Sequence, residues 1–168
     1  MKSYHLPSVH PSLNRVLDYG AYAVELFARH SLQYSPIRPP AEGRGNERRY
    51  ADSSGDLRAE YYWIYPNWML NCYPDNMSLN IVLPLGPEKC VAMFLWFFPE
   101  AALKTAAPEK TFGFSNEIQQ EDARICEMVQ RNLRSRSYTR GRYSVKQERS
   151  LFHFHRLYAD AMGISAQL

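Results

Sequence analysis

An α+β domain, with an antiparallel sheet curling around a helix near the C-terminus, is the fold this sequence predicts, and three observations predict it. β-branched and aromatic residues crowd into short runs between turn signals over the first hundred or so positions. A long helical repeat comes next, and then a shorter one. Strands first and helices afterwards is the order of an α+β fold, whereas a parallel sheet would alternate the two. The 168 residues suffice for one domain with a real core, and 45% apolar and 14% aromatic content, with twelve tyrosines and three tryptophans, argues against disorder.

Residues 4–11 read Tyr-His-Leu-Pro-Ser-Val-His-Pro and hold two of the five histidines, His5 and His10. On an ideal helix these would stand about 140° apart, and Pro7 and Pro11 disfavour a regular helix in any case. A partly helical turn lets both imidazoles reach one point, because Pro7 fixes its own φ and holds Leu6 extended. A metal needs that convergence. Taken alone, a histidine pair near a terminus is more often a solvated or hydrogen-bonded surface pair, so a third ligand elsewhere has to carry the metal reading.

Positions 12–18 are a short polar and apolar mix. From 21 to 29, Tyr22, Val24, Leu26 and Ala28 alternate with Ala23, Glu25, Phe27 and Arg29, which is strand periodicity, and 30–37 continues as a second strand. The stretch 38–58, rich in Pro, Gly, Ser and charge, is expected to be a long mobile loop. Turn signals at Tyr73-Pro74-Asp75-Asn76 and Leu85-Gly86-Pro87-Glu88 divide the hydrophobic region beyond that loop into three antiparallel strands, about 60–73, 77–85 and 89–98. Pro66 and Pro84 remove ladder donors and belong at a bulge, an edge or a strand end. Positions 99–108 read as a linker or loop.

A helix is predicted over 116–137, with Asn116 and Gln119 as its capping box. Ile118, Ile125, Val129 and Leu133 form one buried stripe, and Asp122 fills its vacant position. A carboxylate there costs free energy unless it is paired or ligates a metal, which makes Asp122 the third candidate ligand. An ion pair with an arginine such as Arg15, or a first-turn aspartate favoured by the helix dipole, are the alternatives. A last helix is marked by Phe152, Phe154, His155, Leu157, Tyr158 and Met162. His153 and His155 lie two apart, point to different sides of it, and read as core or surface histidines instead of a second metal site.

The net charge of +3 is mild, with its excess between Arg131 and Arg149, so no strong nucleic-acid footprint is indicated. Arg131, Arg134, Arg136, Arg140 and Arg142 would scatter over a solvated helix face, without stacked aromatics interleaved among them. Cys72, Cys90 and Cys126 have neither CxxC nor CxH spacing, which argues against a disulfide framework, a zinc ribbon or a cluster and fits a reducing cytoplasm. There is no run of eighteen apolar residues and no signal-peptide pattern, so neither a membrane span nor a secreted protein is expected.

Several stretches carry a family likeness. They are the Tyr4-His5 pair followed by His10, the segment Gln120-Glu121-Asp122-Ala123-Arg124-Ile125-Cys126-Glu127, and the C-terminal Arg134-Ser135-Arg136 and Phe152-His153-Phe154-His155-Arg156. Trp63 through Asn67 and Leu83 through Pro87 add to it. The chain resembles, over nearly its whole length, the catalytic domain of the Rieske-type non-haem iron oxygenases, the ring-hydroxylating dioxygenase α subunits. Within them it is most similar to the choline, glycine betaine and carnitine monooxygenase subgroup. The resemblance implies a helix-grip (START/Bet v 1-like) fold and one mononuclear Fe(II) held by His5, His10 and Asp122. It also implies O₂-dependent hydroxylation or oxidative demethylation of an aromatic or quaternary ammonium substrate. Two histidines and one carboxylate on one face of an iron leave three positions open, as O₂ chemistry needs.

The chain departs from that family in two ways. The family supplies electrons from a [2Fe–2S] cluster on a Rieske domain with CxH and CxxH ligand pairs, and this sequence has no CxH. Three positions before the first ligand histidine the family usually carries an acidic residue, and here stands Lys2. The expectation is therefore a single catalytic domain over 1–168, separated from its Rieske half by truncation, a split gene or the cloning of a fragment. It would take electrons from a separate Rieske domain or ferredoxin and reductase, with a trimer implied by the resemblance. The competing reading is a helix-grip module that binds a small ligand and whose metal site is vestigial. Tyr61, Tyr62, Trp63, Tyr65, Trp68 and Tyr73 are candidates to line a pocket whose ring faces attract a quaternary ammonium, and equally candidates for ordinary core.

Overall fold

A computed structural model describes residues 9–38, 57–104 and 108–164. The described residues include a short helix, α1 (Pro11–Val16), and a 3₁₀ turn at Tyr19–Ala21. The strands come next: β1 (Ala23–Leu26), β2 (His30–Pro36), β3 (Arg58–Ile64), β4 (Trp68–Tyr73), β5 (Asn76–Gly86) and β6 (Lys89–Phe97). Then come α2 (Glu100–Leu103), α3 (Pro108–Asn132) and α4 (Arg149–Ala161). All six strands form one antiparallel sheet in sequence order. Each strand pairs with its chain neighbour, as strands joined by short turns favour.

The α+β class stands, and several boundaries move. The strand expected over 60–73 is two strands, because Tyr65-Pro66-Asn67 makes a turn and Pro66 sits at its corner behind a cis peptide bond. Pro84 lies, as expected, at an irregularity, the register shift between Pro84 and Gly86. Residues 12–18, read as a short polar and apolar mix, contain most of α1. Of the loop expected over 38–58, Arg58 belongs to β3, opposite Pro36, and 39–56 lie outside the described residues. The helix expected to begin at Asn116 starts at Pro108, a residue suited to a first turn. Gly113 in its interior costs about 1 kcal/mol in helix propensity, but Phe112 packs against Trp96 at 5.4 Å and Phe98 at 6.0 Å, and Phe114 packs on the core. Tertiary contacts therefore carry the helix through the glycine, and Asn116 caps nothing.

Alternation gives the sheet two faces. Tyr61, Asn71, Ser78 and Trp96 lie side by side on one, as do Trp63, Met69, Asn80 and Phe94. This face receives the helices: Trp63 meets Phe154 of α4 at 5.2 Å and Trp96 meets Phe112 of α3. The opposite face carries Tyr62, Leu70, Leu79 and Leu95, and Ile64, Trp68, Ile81 and Met93. Val91, Met93, Leu95 and Phe97 there are between 41% and 48% exposed. The best-buried cluster sits at one end of the domain, where Leu13, Val16 and Leu17 meet Ala59 and Tyr61. Phe114 and Ile118 of α3 close over it.

Candidate metal centre

That end cluster builds the site, because it fixes two distant segments at once. Pro11 opens α1 and holds His10, the residue before it, out of the helical region, with φ −119° and ψ 70°. The His10 carbonyl still accepts the first helical bond, from the Asn14 N–H at 2.9 Å. Leu13, Val16 and Leu17 press α1 into the cluster that Phe114 and Ile118 cover. Asp122 stands one turn beyond Ile118 on the same side of α3, so the packing that seats α1 also carries His10 to Asp122.

His10 Nε2 lies 3.1 Å from Asp122 Oδ1, and Nδ1 lies 2.8 Å from Glu121 Oε2. A turn earlier, Ser12 Oγ donates to Glu117 Oε1 at 2.9 Å. The imidazole is buried, while the carboxylates of Glu121 and Asp122 are 22% and 32% exposed. Burial alone would lower the His10 pKa. The hydrogen bonds to Asp122 and Glu121, with the charges they carry, outweigh it and hold the group above its ordinary value of 6.5. A metal competes with that proton, since only the neutral ring ligates.

Of the three sequence-predicted ligands, the structure brings His10 and Asp122 together, and His5 lies outside the described residues, as does Lys2. Among the described residues no three His, Cys, Asp or Glu side chains gather as a metal site. The geometry of the imidazole explains why Glu121 does not complete one: its oxygen and that of Asp122 meet opposite edges of the ring. The pair itself fits a metal. Two bonds of about 2.1 Å at roughly a right angle leave their donor atoms about 3 Å apart, which is the separation seen here, and neutral nitrogen with a hard carboxylate suits Fe(II).

Other expectations need correction. The stripe on which Asp122 was placed is half-buried at Ile118 and exposed beyond Asp122: Ile125, Val129 and Leu133 are 38%, 50% and 45% exposed. The six aromatics proposed for one pocket cannot share it, because Tyr62 and Trp68 lie on the sheet face away from the helices. Of the others, Tyr61 and Tyr73 bond each other through their hydroxyls at 2.7 Å, and Trp63 stands edge-on to Tyr65. His153 and His155 stay clear of the centre as expected, His153 against the Trp63 ring and His155 Nδ1 at 2.5 Å from Tyr143 Oη. Glu121 and Glu117 are the residues that sequence reasoning missed. Their spacing of four beside an apolar stripe was visible, but a partner 111 positions away was not.

Residues 1–164 match the family described as ring hydroxylating alpha subunit (catalytic domain). The chain belongs to this family. It is 36% identical over 155 residues to the chloroplastic choline monooxygenase of Arabidopsis thaliana, covering 90% of this chain and 35% of that one. It is 24% identical over 170 residues to the carnitine monooxygenase oxygenase subunit of Escherichia coli (strain K12), covering 95% of this chain and 44% of the relative. The chain thus spans between a third and a half of these relatives' length. Among solved structures, a quaternary ammonium Rieske monooxygenase described for carnitine oxidation and inter-subunit electron transfer superposes with a TM-score of 0.76. That match is 21% identical and covers 95% of this chain and 44% of the other. The fold is accordingly the helix-grip fold of Rieske oxygenase catalytic domains. This is a family of oxidoreductases built around non-haem iron and a Rieske cluster.

Proposed function

We propose that this ring-hydroxylating catalytic domain binds one mononuclear Fe(II) through His5, His10 and Asp122 and hydroxylates or oxidatively demethylates a quaternary ammonium substrate. The substrate class is favoured by the choline and carnitine monooxygenases it resembles. A ferrous ion held by two imidazoles and a carboxylate supplies open positions at which O₂ is activated, with electrons drawn from a [2Fe–2S] cluster on a Rieske partner. The chain's own residues then have separable tasks. His10, buried and neutral when ligating, offers Nε2, and Asp122 offers one carboxylate oxygen beside it. Trp63 and Trp96 line the helix-facing side of the sheet, where ring faces suit a quaternary ammonium whose positive charge makes no hydrogen bond. Electrons come from a Rieske domain and its reductase, in a trimer where cluster and iron lie on different subunits. The three unpaired cysteines suit a reducing compartment such as the cytoplasm.

One observation carries the reading: the approach of His10 Nε2 and Asp122 Oδ1 to 3.1 Å from segments far apart in the sequence. Anaerobic titration with Fe(II) tests it. The chain should bind one equivalent, Asp122→Ala should bind none, and the metal-free variant should melt below the parent while His10 is protonated, because it loses the carboxylate paired with that buried imidazole. A parent chain that takes up no iron, or an Asp122→Ala protein that takes it up equally, returns the fold to the role of a small-ligand module. Iron-loaded chain given NADH, O₂ and a quaternary ammonium should form product only after a Rieske protein and its reductase are added.

A further inference from the structure

Three carboxylates of α3 reach His10 and the first turn of α1, and they do different things. Glu117 accepts from Ser12 Oγ at 2.9 Å; Glu121 and Asp122 take opposite edges of one imidazole, at 2.8 and 3.1 Å. Consecutive helix positions diverge by about 100°, which is enough for neighbouring side chains to straddle a ring inserted between them. Glu117, one turn before Glu121, ties the neighbouring Ser12 hydroxyl to the same side of α3.

A histidine that ligates through Nε2 carries its proton on Nδ1, and that proton needs an acceptor. His10 is 3% exposed, so bulk water does not supply one, and the Glu121 oxygen stands within hydrogen-bond reach of Nδ1. We infer that Glu121 is a positioning residue of the centre. It accepts the Nδ1–H of His10, fixes the ring plane and tautomer with Nε2 aimed at the point shared with Asp122, and makes that nitrogen a stronger donor. The inference rests on reading His10 and Asp122 as iron ligands, and it assigns to Glu121 a role separate from ligation.

Two measurements on the full chain test it. Fe(II) affinity, read anaerobically by competition with a chromogenic chelator, should fall about tenfold to a hundredfold in Glu121→Ala. It should return to within about threefold of the parent in Glu121→Gln, whose amide oxygen still accepts from Nδ1–H. Glu121→Ala with parental affinity, or Glu121→Gln as weak as Glu121→Ala, overturns the role. The second measurement needs no metal. In metal-free Asp122→Ala protein at alkaline pH, where the ring is neutral, ¹⁵N-histidine NMR should find the His10 proton on Nδ1, and in Asp122→Ala with Glu121→Ala that preference should vanish. A proton found on Nε2 while Glu121 is present overturns the inference. Failure of the parent to bind iron overturns the iron reading alone, because the NMR result stands without it.

Discussion

Along α3, Phe114 and Ile118 press into the cluster around Leu17 and Tyr61, whereas Ile125, Val129 and Leu133, continuing the same stripe, are largely exposed. Both halves of the helix carry apolar residues at helical spacing, so the difference lies in what each half meets. The first half meets α1, whose Leu13 and Val16 are buried with the adjoining Leu17, and is tied to it by Ser12–Glu117 and His10–Glu121. The second half has no comparable buried layer among the described residues. Asp122 and His10 stand at the boundary between the two. A metal centre placed there has a rigid wall on one side and an open face on the other, which suits an ion whose protein ligands must stay fixed while substrate and O₂ come and go.

Leu17→Ala should do the greatest damage to the packed half. The side chain is wholly buried, and the substitution should cost about 3 kcal/mol by urea denaturation. A loss under about 1 kcal/mol would mean that α1 is not the wall described. The comparison within α3 is sharper. Ile118→Ala should cost about 2 kcal/mol and Val129→Ala less than about 0.5 kcal/mol, and equal losses would erase the distinction between the halves.

Alkaline pH should also act through the packed half. Burial raises the Tyr22 phenol above its ordinary value, helped by the neighbouring Tyr73 and Tyr19. The folded phenol keeps its proton where the unfolded one ionises, so stability is fully present below about pH 10 and falls above it, by up to about 1.4 kcal/mol per pH unit. Tyr22→Phe should flatten that slope in denaturation curves collected across the range. The smallest effect belongs to the open half: Val129→Lys should leave the urea midpoint unchanged. A marked destabilisation there would reveal that the exposed stripe is in fact covered in solution.

Much of this architecture is legible in the chain by itself, and the reasons are local. The alternation of 21–29, the turns at Tyr73-Pro74-Asp75-Asn76 and Leu85-Gly86-Pro87-Glu88, and the helical repeat around Ile118 each arise from a few neighbouring residues, so the strands and helices they announce are present. His10 and Asp122 could be named as candidates, and the structure brings them together, because a short motif and a carboxylate within an apolar stripe are local too. The features that the sequence could not decide depend on partners far away. Only the packed structure determines that Glu121 meets His10 across 111 positions, that Gly113 stays helical because Phe112 and Phe114 find a core, and that Trp68, beyond the turn at Pro66, faces away from Trp63. Periodicity specifies which side of an element is apolar, whereas burial requires a second surface, and that surface is supplied by whichever distant segment the whole fold brings up against it.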